Sequence, residues 1–246
     1  MRFRTRVGLV SMAAAVVLGS ALAVPAGADS EATYEVTITS LIPGQPLTPP
    51  VVATHDGSVK VFRVGRHANL GVKEIAENGN AAPLATFLEG ARGVADVFAD
   101  STVPLVADGV PGAAMFAESI TFTIETSAGA RFLSWVSMLI CTNDGFSGVS
   151  GLKLPSQVGR SVTVGTAGYD AGTEVNTEDF ADIVPPCQGL VGVSSGEAGT
   201  GTSDPALAEG GVIHHHAGIQ GIADLVALHG WDVTAPVAEI RVERIA

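Results

Sequence analysis

Apolar and polar residues alternate from Thr33 to Leu41, with Tyr34, Val36 and Ile38 on one side and Glu35, Thr37 and Thr39 on the other. A period of two predicts a half-buried β-strand. The same alternation returns at Ser119 to Thr126, where Ile120, Phe122 and Ile124 oppose Thr121, Thr123 and Glu125. It returns again at Val237 to Val242, with Ala238, Ile240 and Val242 on the inward side. Phe132 to Ile140 is almost continuously apolar, which predicts a central strand covered on both faces and makes Trp135 a core residue. Val59 to Val64, after the turn His55-Asp56-Gly57, and Ser161 to Ala167 supply two further strands.

Between these runs the pattern changes. Residues 69 to 100 mix alanine, leucine and acids, with breaks at Gly79 and Pro83, and predict short helices over Leu70 to Glu77 and Leu84 to Phe98. Pro43, Pro46, Pro49 and Pro50 rule out helix and predict an extended loop. Gly192 to Gly211 is rich in Gly, Ser, Thr and Glu and predicts a long surface loop, because a strand pattern lies beyond it. No internal repeat is present. The fold class is all-β: an antiparallel sandwich of about eight strands with a short helical excursion and long loops.

The N-terminus reads as a leader. Arg2, Arg4 and Arg6 precede an apolar stretch from Val7 to Val24, and Ala26-Gly27-Ala28 fits a small-residue cleavage site. This predicts a signal peptide over residues 1–28 and a single exported domain over residues 29–246. Removing the three arginines leaves ten cationic side chains against 25 acids, a net charge of −15. Such a surface disfavours nucleic acid or anionic lipid as a direct partner. No segment after the leader is apolar for long enough to insert into a membrane. In an exported chain the pair Cys141 and Cys187 suggests a disulfide, worth on the order of 3–4 kcal/mol by loop closure. Two buried thiols are the alternative. Neither cysteine has a near partner at zinc-ligand spacing.

The two cysteines bracket the chemistry. Asp144 lies in Asn143-Asp144-Gly145, and Asp170 and Glu174 flank Gly172 in Tyr169-Asp170-Ala171-Gly172-Thr173-Glu174. Hard cations such as Ca²⁺ take several oxygen ligands, and a glycine lets such a loop turn tightly enough to bring carbonyls in as well. Solvated turn acids are the plainer reading of the same residues. His214-His215-His216 offers a second set of ligands, for zinc or copper. In an extended segment only His214 and His216 share a face. His55 beside Asp56 does not make a catalytic relay by adjacency in sequence.

These segments resemble the spondin N-terminal domain family. Ser137-Met138-Leu139-Ile140 running into Asn143-Asp144-Gly145-Phe146-Ser147-Gly148 is similar to the family's strand and first acidic loop. Leu152-Lys153-Leu154-Pro155 is similar to the next segment of bacterial members. Tyr169 to Glu174 resembles the family's Asp-Ala-Gly-Thr-acid loop, with Glu174 where animal members usually carry Asp. Thr37 to Leu41 with Gln45 to Pro50 resembles the opening strand and proline-rich loop, and the resemblance extends over about residues 33 to 245. It implies an extracellular β-sandwich whose Asp144, Asp170 and Glu174 bind Ca²⁺. It also implies a non-catalytic role in adhesion or recognition, with an extracellular or cell-surface protein or glycan as partner. The competing expectation is a transition-metal protein or metalloenzyme built on His214 and His216. Neither reading fixes the oligomeric state.

Overall fold

The computed structural model describes residues 31–246. The expected leader, residues 1–28, lies outside them. Two antiparallel sheets stack face to face, as expected for a sandwich. The smaller joins β1 (Ala32–Ser40), β4 (Ser119–Thr126), β7 (Ser161–Thr166) and β10 (Ala238–Arg244) in the order β4-β1-β10-β7. The larger joins β2 (Val51–His55), β3 (Val94–Phe98), β5 (Phe132–Met138), β6 (Gly145–Lys153), β8 (Gly168–Asp170) and β9 (His214–His215) in the order β3-β2-β5-β6-β8-β9.

Strand β5 shows why the fold has three layers. Leu133, Trp135 and Leu139 face the smaller sheet and pack with Val36, Ile38, Ile240 and Val242. Val136, Met138 and Ile140 face the other way, into a second core with Val72, Ile75, Leu84 and Leu88. Those four residues come from α1 (Leu70–Asn78) and α2 (Ala82–Glu89). The Asn69 side chain caps α1 by accepting from Val72 N, and Gly79 ends it in the left-handed region at φ 65°. A strand covered by a sheet on one side and helices on the other is mostly apolar, and five of the seven residues of Phe132–Met138 are, with Ser134 and Ser137 the exceptions. At the sandwich rim Phe98 of β3 stacks on Phe122 of β4 with ring centroids 3.7 Å apart.

The structure corrects three expectations. Val59 to Val64 is not a strand; the strand before it is Val51–His55, buried at every position, while Val61 and Phe62 enter the core from an irregular segment. Leu84 to Phe98 is not one helix: it breaks at Gly90 and finishes as β3 paired with β2. The strands number ten among the described residues, and β2, β3, β6, β8 and β9 carry no strand pattern that the sequence makes legible.

Candidate metal centre

Thr142 folds the end of β5 onto β6. Its hydroxyl donates to Leu139 O at 2.7 Å and accepts from Gly145 N at 2.9 Å. Asp144 is thereby held immediately before β6. Strand β7 belongs to the smaller sheet, so the two acidic loops do not leave strands that share a sheet edge. The chain instead crosses between sheets at Ala167 and pairs again as β8, which sets Asp170 opposite Gly145 of β6 and His214 of β9. That three-residue strand brings the acids together, and it is too short to show a period.

All three carboxylates are buried. Asp144 Oδ2 accepts from Thr173 N at 2.7 Å, Thr173 Oγ1 at 3.1 Å and Glu174 N at 3.0 Å. Its other oxygen, Oδ1, is buried with no hydrogen-bond partner. Asp170 Oδ1 accepts from Gly172 N at 2.7 Å, and Oδ2 accepts from Asn176 Nδ2 at 2.6 Å. Glu174 Oε1 accepts from Asp204 N at 3.0 Å, as the 203–211 segment folds over Thr173 and Glu174. Gly172 makes the loop possible. Its φ is 67°, and an added Cβ would lie 2.6 Å from Val212 N.

Burial pushes the Asp144 carboxyl up to about 7, helped by the nearby Asp170 charge and opposed by the Thr173 and Glu174 donors. Burial likewise raises Glu174 to about 7, helped by the Glu77 and Asp144 charges and opposed by the Asp204 N–H and by Lys73. A buried acid is costly to ionise unless a cation or donors compensate it. The all-oxygen donor set and the unpartnered Asp144 Oδ1 fit a hard divalent cation. The three acids are not drawn in as tightly as a closed shell. Among the described residues, the group of three whose ligand atoms all lie within 4.8 Å of one another is Cys141, Cys187 and His229.

Cys141 and Cys187 are joined in a disulfide. It ties the segment after β5 to α3 (Pro186–Val191) and closes a loop that contains all three acids. His214 and His216 both lie beside Asp170. His214 is exposed, with Nδ1 3.7 Å from Asp170 Oδ1. His216 is buried against Trp231, accepts from Gly218 N at 2.9 Å, and keeps Nε2 unpartnered.

Two buried acids near the site escaped the sequence reading. Glu178, at φ 58°, accepts from Gln220 N at 2.5 Å, Gly221 N at 2.6 Å and Ile222 N at 2.9 Å, clamping the segment after His216. Glu77 accepts from Lys73 Nζ at 2.7 Å through both oxygens and from the Ser203 hydroxyl. Only the positive φ had a possible local signal, and Glu at such a position gives none. His55 Nε2 lies 2.7 Å from Ser134 Oγ, but its Nδ1 meets the Asp56 backbone carbonyl, not a carboxylate. Gly192-Val193-Ser194-Ser195-Gly196 has the letters of a nucleophile elbow. It follows a helix on an exposed loop, whereas an elbow joins strand to helix.

No curated protein matches the chain. The Spondin_N family model matches residues 40–179, more than half of the sequence. The match takes in the end of β1, the whole segment from β2 to β8, and both acidic loops, and it ends before Cys187, His214 to His216 and His229. The chain therefore belongs to the spondin N-terminal domain family.

Proposed function

We propose that this protein is an exported Ca²⁺-binding β-sandwich module that recognises a protein or glycan outside the cell and is not an enzyme. The family gives the extracellular type of module. The disulfide is compatible with an oxidising compartment. The observation that carries the calcium reading is Asp144: fully buried, raised to about 7, and with one oxygen unpartnered. Asp144, Asp170 and Glu174 would hold the ion. A divalent cation there would compensate the buried negative charge and fix the two loops against each other. Asn176 and the backbone N–H groups of Gly172, Thr173 and Glu174 position the carboxylates, and the 203–211 segment shields Glu174 from water.

Thermal unfolding with Ca²⁺ and with a chelator tests this, with Asp170→Ala alongside. Calcium at ~100 times its dissociation constant adds about 2.7 kcal/mol to the wild type. The variant should show no calcium-dependent shift, whatever its own stability. Calcium-independent unfolding of the wild type would remove the site. The histidine reading makes a different forecast: tight zinc or copper binding that disappears in His214→Ala or His216→Ala.

A further inference from the structure

Cys141, Cys187 and His229 are each 0 % exposed, and the two sulfurs and one ring nitrogen of His229 all lie within 4.8 Å of one another. His229 comes from a distant turn, Ala227–His229. Gln45 fixes the meeting. Its side-chain amide donates to Cys141 O at 3.1 Å and to His229 O at 2.8 Å, and its carbonyl accepts from Cys141 N at 3.2 Å. None of these three bonds depends on the S–S bond. Cys187 is held separately, on α3, whose Leu190 and Val191 are anchored in the core.

The His229 ring is unusually free to act as a ligand. Nε2 is buried with no partner, and an orphaned buried polar atom in a native structure calls for an explanation. Nδ1 lies 3.0 Å from Val226 N and 3.3 Å from Val226 O. It can therefore accept from the backbone N–H, or donate its own proton to the carbonyl and leave Nε2 with a bare lone pair. A backbone carbonyl on the second nitrogen is the usual support of a metal-bound histidine. Burial lowers the ring's proton affinity and keeps it neutral, as a ligand must be.

We propose that reduction of the Cys141–Cys187 bridge converts this cluster into a Cys₂His site for a thiophilic d¹⁰ ion such as Zn²⁺. An external dithiol supplies two electrons and two protons, the S–S bond breaks, two thiols form, and the dithiol becomes a disulfide. The ion then displaces both thiol protons to solvent and takes both sulfurs and the ring nitrogen that lies near them. Released sulfurs relax to about 3.7 Å apart, the spacing of two thiolates on tetrahedral zinc. A cavity of about 570 Å³ is lined by Ile140 and Pro186, each the chain neighbour of a cysteine. The bridge spans 46 residues and encloses Asp144, Asp170 and Glu174, so the metal would keep the acidic loops closed when the disulfide cannot.

The test uses the whole protein, reduced with excess dithiol, desalted without oxygen, and titrated with Co²⁺ and then Zn²⁺ in saturating Ca²⁺. Thiolate-to-cobalt charge-transfer absorption reports this site and not the oxygen donors. Expected are about one Co²⁺ per chain, displacement by Zn²⁺, and no signal from the oxidised protein. His229→Gln should weaken Co²⁺ binding about tenfold or more. If His229→Gln fails to fold, Cys187→Ser serves instead and should halve the charge-transfer intensity. Three results each overturn the proposal: no charge-transfer band in the reduced wild type, undiminished affinity in a folded His229→Gln, or loss of near-ultraviolet circular dichroism on reduction before metal is added.

Discussion

Replacing Asp144 by asparagine turns the cost of its burial into a pH-dependent stability difference. Burial and Asp170 hold the Asp144 carboxyl at about 7 instead of 3.8. The folded chain therefore holds a proton that the unfolded chain gives up. This group's contribution is full below the unfolded value, declines as pH rises toward about 7, and is flat above. At 1.36 kcal/mol per pH unit the whole change is on the order of 4 kcal/mol, with about 3 of it between pH 5 and 8. Glu174 moves in the same direction. His55, His216 and His229 run the other way. Burial lowers each, so their contributions are lost as pH falls below about 6.5, and a profile of the wild type alone mixes both signs. Subtracting the wild type from Asp144→Asn cancels the histidines. Denaturant unfolding in chelator at pH 5, 6, 7 and 8 measures the difference. The amide oxygen can still accept from Thr173 N and Glu174 N, so the variant should gain about 3 kcal/mol on the wild type across that range, or ~6–12 °C in midpoint. In saturating Ca²⁺ at pH 8 the wild type should regain the lead. A difference that stays constant within about 0.5 kcal/mol would refute the claim that Asp144 is desolvated and uncompensated.

Gly172→Ala should cost about 1–3 kcal/mol and weaken calcium stabilisation, since the added Cβ would sit 2.6 Å from Val212 N at a φ of 67°. Gly159→Ala, at φ 77° with nothing within 4 Å, isolates the backbone cost and should leave calcium binding intact; paired melts with and without Ca²⁺ compare them. Glu178→Ala leaves the N–H groups of Gln220, Gly221 and Ile222 without their acceptor and should cost about 2–4 kcal/mol. Limited proteolysis should cut that variant between residues 217 and 226 faster than the wild type, with Glu178→Gln intermediate.

Strands β1, β4 and β10 are legible because each has one face on the core and one on solvent, which writes a period of two into the sequence. β2 is buried at every position and follows two prolines, and β6 carries three glycines, so neither shows a period. Asp144, Asp170 and Glu174 are legible for a different reason: acids around a glycine form a local pattern. What makes them more than turn acids is not local. Asp144 loses water because the chain leaves the smaller sheet at Ala167, after β7, and settles beside β6 as β8. Glu174 is covered by Asp204, 30 residues along the chain, and Glu178 is satisfied by Gln220 to Ile222, 42 to 44 residues along. His229 meets the cysteines only because Gln45 holds Cys141 and His229 together from residues 96 and 184 positions away. In a solvated turn Glu174 would be an acid of ordinary strength, free to ionise without an ion. The need for a cation that we propose is thus a tertiary property. The motif supplies the oxygen donors, and the sheet switch at Ala167 supplies the burial that leaves one of them unpartnered.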